Sequence, residues 1–188
     1  MTTTLMYPRS THSGHATDDA DLPLASAPEK PYQHFFSFVL PPDLPAMIPN
    51  DRVAEILMLT SENIMGIPEV PPEIMGIAPW RGEVLWLLDL SYIMGKTPLF
   101  RQGYRNTPYS VIVISRNNQT LGLVVDRVEQ MLRCSEDNIL PAAEVVNAAI
   151  PPFMQACWSP ESEQRTWILD CGALLAHLSS QTLTATAA

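Results

Sequence analysis

Residues 64–90 read IMGIPEVPPEIMGIAPWRGEVLWLLDL, and the fold turns on how this stretch is read. Pro68, Pro71, Pro72 and Pro79 stand among Ile64, Ile67, Val70, Ile74, Met75, Ile77 and Trp80. Proline donates no ladder hydrogen bond and blocks a helix interior. The stretch therefore reads as an ordered apolar loop leading into a strand, residues 83–88. One cation, Arg81, sits at the junction before Gly82. A solvated loop would not carry this apolar load, so these side chains are either core or a surface that a partner covers.

Strands extend outward on both sides. In residues 34–40 (HFFSFVL), Phe36, Phe38 and Leu40 alternate with Phe35 and Val39, the period of a buried strand. Pro41, Pro42 and Pro45 break it, and Ala46–Ile48 is a second apolar segment. Residues 50–57 allow two readings: a helical turn capped by Asn50 or Asp51, or the beginning of a strand. Residues 109–115 (YSVIVIS) and 119–125 (QTLGLVV) form a hairpin across a turn at Asn117–Asn118. From Asp126 to Leu132 the chain extends this strand or bends away. Residues 141–152 are irregular, 153–158 and 166–169 are strands, and 172–178 are a short closing helix. The pattern strand–Asp–helix occurs twice, at Asp89 and at Asp170. Asp89 caps a short helix ended by Gly95.

Many short strands with proline-marked turns define a mostly β class. Residues 1–31 and 179–188 are too poor in apolar side chains to offset their ordering entropy and read as disordered tails around a domain at 32–178. The net charge of −9 argues against nucleic-acid binding, which needs a basic footprint. It argues equally against anionic lipid. No apolar run approaches the roughly 18 residues of a membrane span, and the N-terminus lacks a secretory signal. The chain reads as cytoplasmic, without direct membrane insertion. Cys134, Cys157 and Cys171 are odd in number and form no CxxC, so buried thiols are the reading. His12 and His15 lie in a polar stretch without a third ligand, so no metal and no cofactor is expected. There is no GxSxG elbow, no phosphate-cradling glycine loop and no HExxH. The expectation is a protein that is not an enzyme.

Three motifs resemble the CheW-like family, the adaptors of bacterial chemosensory arrays. The first is Ile48-Pro49 followed by Arg52-Val53 and Glu55-Ile56. The second is Ile67-Pro68, Pro71-Pro72, Gly76, Arg81-Gly82, Asp89-Leu90 and Gly95. The third runs Gly122-Leu123-Val124-Val125-Asp126-Arg127-Val128. Their order and spacing agree with the family across residues 33–178. Pro79-Trp80 stand where the family has Asn-Leu, Trp86 where it has proline, and Ser91-Tyr92 where it has Arg or Lys. The resemblance implies two intertwined five-stranded β-barrel subdomains sharing a core, with short helices. It implies no catalysis and two partners: the signalling tip of a chemoreceptor and the regulatory domain of a CheA-type histidine kinase. Recruitment to membrane receptor arrays follows from those partners, in flagellar chemotaxis or twitching motility.

The same resemblance places Val53, Ile56, Gly76 and Arg81 at the receptor groove, and Trp80 stands beside them as an aromatic anchor. Each position has a second role open to it. Val53 and Ile56 also suit a core. Arg81 also suits an ion pair with Glu55, strong if half-buried and weak if exposed. Glu55, Gly82, Asp89, Gly122 and Asp126 read as structural, the two aspartates satisfying turns after strands. The alternative function is a stand-alone β-barrel module binding a small ligand between its subdomains.

Overall fold

The computed structural model describes residues 32–101, 107–116, 119–145, 151–154, 156–160 and 165–185. β1 (Tyr32–Leu40) and β2 (Leu44–Pro49) form the first hairpin. A 3-10 turn, Asn50–Arg52, leads into β3 (Val53–Leu59). Both readings of residues 50–57 are thus realised in sequence. Pro49 occupies the N-cap position of the turn and no side chain caps it, so neither Asn50 nor Asp51 plays that part.

β4 (Ile74–Trp80) and β5 (Glu83–Asp89) follow, then α1 (Leu90–Ile93), β6 (Tyr109–Arg116) and β7 (Gln119–Val125). β8 (Arg127–Ser135), β9 (Ile139–Pro141), β10 (Ala156–Trp158), β11 (Thr166–Ile168) and α2 (Cys171–Ala185) complete the chain. The strands make two sheets. One has six strands in the order β8-β1-β2-β11-β10-β9, the other five in the order β3-β6-β7-β5-β4. The chain leaves the first sheet after β2, builds the whole second sheet, and returns at Asp126. That residue is the bend between β7 and β8, so the chain bends away rather than extending β7.

The interweaving places one face of each sheet in a common core. Phe38, Ile48, Ile112, Leu123, Phe153 and Leu174 are at most 1% exposed there and belong to one cluster. A buried side chain of this size contributes roughly 1.5–3 kcal/mol. These residues form the common core between the sheets. The other face of β6 and β5 sends Val111, Val113, Leu85 and Leu87 into a second cluster inside the five-stranded sheet. Phe35, Met47 and Cys134 form a third within the six-stranded one. The alternation of residues 34–40 is borne out: Phe38 and Leu40 face the common core, and Phe35 faces away from it.

Three expectations need correction. The stretch read as a loop up to Arg81 is a strand from Ile74, because β4 lies at the edge of its sheet, where a proline costs no inner ladder bond. Residues 153–158 are strand only from Ala156. Phe153 and Met154 lie before it in a turn and are buried. The last helix begins at Cys171 and runs to Ala185, past Leu178, since no glycine or proline stops it there. Residues 1–31, with His12 and His15, and the Asn117–Asn118 turn lie outside the described residues. The turn's flanks, Arg116 and Gln119, are paired.

The buried cysteines are all free thiols. Burial, and after it the Asp170 charge, pushes the Cys171 thiol up to about 11. Burial also raises Cys157. The thiolate is the reactive species, so a disulfide-exchange reagent at pH 8 should titrate none of the three in the native protein within minutes. It should titrate all three in guanidinium. Prompt native reaction at any of them would contradict this packing.

Candidate functional site

Of the residues singled out by sequence, Val53, Glu55, Ile56, Trp80 and Arg81 come together where β3 meets the β4–β5 turn. β3 is the terminal strand of the five-stranded sheet and carries no further strand on its outer side among the described residues. A bulge between Val53 and Glu55 puts the strand out of simple alternation. Val53, Ile56 and Met58 stand opposite Ile114, Ile112 and Ser110 of β6 and share their face. Val53 packs on the common core. Ile56 is half-buried and Met58 is 60% exposed. They form an apolar rim where that core meets solvent. Met58 was missed by the sequence motifs, although it follows Ile56 at strand spacing.

On the other face of β3, Glu55 reaches the β4–β5 turn. Its Oε2 accepts hydrogen bonds from Trp80 Nε1 at 2.8 Å and Arg81 Nε at 3.1 Å. Arg81 Nη2 lies 3.0 Å from the same oxygen, and its guanidinium carbon is 4.9 Å from the Trp80 ring centroid. One carboxylate oxygen therefore joins the first and last strands of the sheet through side chains. Trp80 and Glu83 flank a two-residue turn with φ of +50° at Arg81 and +82° at Gly82. Two positive φ values are the type I′ hairpin signature, which explains why glycine follows the arginine. The turn presents Arg81 to solvent while Glu55 fixes its direction.

The Arg81–Glu55 pair is a surface one, with side chains 65% and 35% exposed. Arg81→Ala should therefore cost under about 1 kcal/mol of stability, as exposed pairs do. A urea melt checks this, and a loss above 2 kcal/mol would show the guanidinium to be structural. The variant is then a clean probe of binding.

Gly76 is not part of this rim. It is buried in β4 after a bulge, at φ +150°. A Cβ there would sit 2.5 Å from the Met65 carbonyl oxygen, so the close approach it permits is by its own chain. Gly122 is buried inside the five-stranded sheet, where a Cβ would meet Leu87 Cδ2 at 2.7 Å and Val111 Cγ1 at 2.8 Å. Asp89 is fully buried and holds backbone. Oδ1 accepts from Tyr92 N at 3.1 Å and Oδ2 from Leu99 N at 2.6 Å. Asp170 caps α2 in the same manner, through Gly172 N and Ala173 N. Asp126 pairs with Arg127 at 3.2 Å. Asp89 and Asp170 thus shape turns. Among the described residues no cluster of His, Cys, Asp and Glu suits a metal, and no helix is long and apolar enough to cross a membrane.

A family model described as the CheW-like domain matches residues 34–179. The chain belongs to the CheW-like family. It is 32% identical over 150 residues to Protein FrzA of Myxococcus xanthus, covering 80% of this chain and 89% of that one. It is also similar in fold to the scaffolding protein TtCheW of Thermoanaerobacter tengcongensis. The TM-score there is 0.62 at 23% identity, over 73% of this chain and 88% of TtCheW. The CheW-like assignment accounts for the mostly β, two-sheet architecture. It also accounts for the three motifs, whose members the structure spreads over β3, the β4–β5 hairpin with α1, and the β7–β8 crossing.

Proposed function

We propose that this CheW-like chain is a non-enzymatic signalling adaptor. It couples the signalling tip of a chemoreceptor to the regulatory domain of a CheA-type histidine kinase, in flagellar chemotaxis or pilus-driven motility. The observation that carries the reading is the β3 edge: an apolar rim at Val53, Ile56 and Met58 beside a cation held in place by Glu55. A helical hairpin tip would lay apolar side chains on the rim. Arg81, with Trp80 beneath it, would set orientation rather than supply most of the affinity. The protein would act in the cytoplasm, recruited to receptor arrays through these contacts. The buried ionisable groups fit a scaffold. Asp89 is spent on backbone N–H groups, and the thiols are sealed in the core.

The test is calorimetric binding of the full chain to each partner's domain separately, using wild type, Arg81→Ala and Met58→Asp. Both variants alter exposed side chains, whereas Val53→Asp would place a charge against the common core. We expect each variant to weaken the receptor tip about tenfold, roughly 1.4 kcal/mol, and to leave melting unchanged. Wild-type affinity for the receptor tip in both folded variants would remove the β3 edge from the binding site.

A further inference from the structure

Met58 is the most exposed member of the β3 rim, at 60%. It stands opposite Ser110 of β6, a residue only 4% exposed. The Ser110 hydroxyl donates to Met58 Sδ at 3.5 Å. A thioether is a weak acceptor, but a buried hydroxyl left with none costs free energy. The contact therefore ties the sulfur down by one of its two lone pairs. The other lone pair is left facing away from Ser110, towards the solvent side of the rim.

The other sulfur atoms are placed differently. Cys134, Cys157 and Cys171 are buried. Burial raises the Cys157 thiol and pushes Cys171 up to about 11, so reactive thiolate is scarce. Met47 and Met154 are at most 1% exposed. Met65 and Met131 are open to solvent, but Met65 bridges to β4 and Met131 belongs to β8. Oxidation turns an apolar thioether into a polar, chiral sulfoxide, and reductases specific for each sulfoxide epimer reverse it. Among the described residues, Met58 is the exposed methionine at which that change falls on the β3 rim.

We infer that Met58 is a reversible oxidation site through which a peroxide weakens receptor docking, an inference that rests on the β3 rim being the receptor surface. The free lone pair of Sδ attacks one oxygen of hydrogen peroxide. The S–O bond forms as the O–O bond breaks. The departing hydroxide takes the proton of the transferred oxygen and leaves as water. The sulfur is oxidised by two electrons and the peroxide is reduced. The oxygen adds on the side away from Ser110, so one epimer forms and its S–O dipole lies on the rim. An apolar side chain laid there would bury that dipole without a donor, which is unfavourable. A thiol-dependent reductase reverses the step: the oxygen leaves as water and two thiols become a disulfide.

The test treats the folded full chain with hydrogen peroxide and reads each methionine by peptide mass. Met58 should gain one oxygen. One epimer-specific reductase should restore it and the other should leave it oxidised, whereas the two should share Met65 about equally. Ser110→Ala should let both epimers form at Met58. In calorimetry with the receptor tip, oxidised wild type should bind about tenfold more weakly, and the matching reductase should restore the affinity. Met65→Leu with Met131→Leu should stay sensitive to peroxide. Met58→Leu, whatever its own affinity, should bind equally before and after peroxide. Met58 left unoxidised while Met65 is converted, or mixed epimers at Met58 of the wild type, overturns the site. Unchanged affinity in oxidised wild type, or an equal loss in oxidised Met58→Leu, overturns the switch. A reduced wild type that does not bind the tip overturns the receptor reading and the switch with it, and the epimer result separates that outcome from a failure at Met58 itself.

Discussion

Gly76→Ala should lower stability by about 3 kcal/mol, through a backbone clash at a conformation that L side chains rarely adopt. The added Cβ would stand 2.5 Å from the Met65 carbonyl oxygen and 3.1 Å from Ile64 Cγ2. That carbonyl accepts from Ile77 N, so it cannot swing away without giving up the bridge that holds residues 64–66 on β4. In a domain of this size the melting temperature should fall by about 10 °C. Receptor binding should weaken together with stability, because the 64–80 segment that supports Trp80 loosens. A Gly76→Ala protein with wild-type melting and no receptor binding would contradict this. It would make Gly76 a contact residue rather than a backbone one.

Asp89→Ala should cost about 2–4 kcal/mol. It removes a helix N-cap and strands a second buried N–H, each worth roughly 1–2 kcal/mol. The carboxylate bridges α1 to Leu99, ten residues along the chain. Its loss should free the stretch after α1 while leaving the sheets paired, so hydrogen exchange should accelerate at Tyr92 and Leu99 before it does in β6. The same group gives a pH dependence. Burial raises the Asp89 carboxyl above its ordinary value, against the lowering effect of the backbone N–H groups. A carboxyl with a raised folded-state pKa holds its proton more tightly when folded. Its stabilising contribution is full below the ordinary carboxylate range and is lost as pH rises through the raised value. Asp89→Asn does not titrate there. The stability of wild type relative to Asp89→Asn should therefore increase on acidification from pH 7 towards pH 4. A difference that shrinks would show that hydrogen bonding outweighs burial.

The class and the motifs were legible because they rest on local physics. The two Asp residues that end strands and start helices, Asp89 and Asp170, cap as their positions demanded. The two-face alternation of β1 and β6 follows from strand geometry alone. Edge position was not legible. Pro79 argues against a strand only where an inner ladder bond is needed, and nothing local says that β4 lies at the end of its sheet. The Arg81-Gly82 turn could have been read as a type I′ hairpin from its glycine and its flanking alternation. The four upstream prolines drew the reading towards a loop instead. Gly76 was matched to the right motif, but its role depends on Met65 crossing behind it, a contact between residues eleven positions apart. The pairing of Glu55 with Arg81 was foreseen. Its exposed character, which decides between a structural pin and a presented cation, depends on how β3 and the β4–β5 turn meet in space, which spacing does not encode.

The central claim is bridging, and bridging can be measured directly. Membranes carrying the receptor should be sedimented with the CheA-type kinase, with and without this chain. The kinase should pellet only when the chain is present, and Arg81→Ala with Met58→Asp should abolish that recruitment while the soluble chain–kinase complex survives. A kinase that pellets equally without the chain, or a chain that binds neither partner while correctly folded, would contradict the adaptor reading.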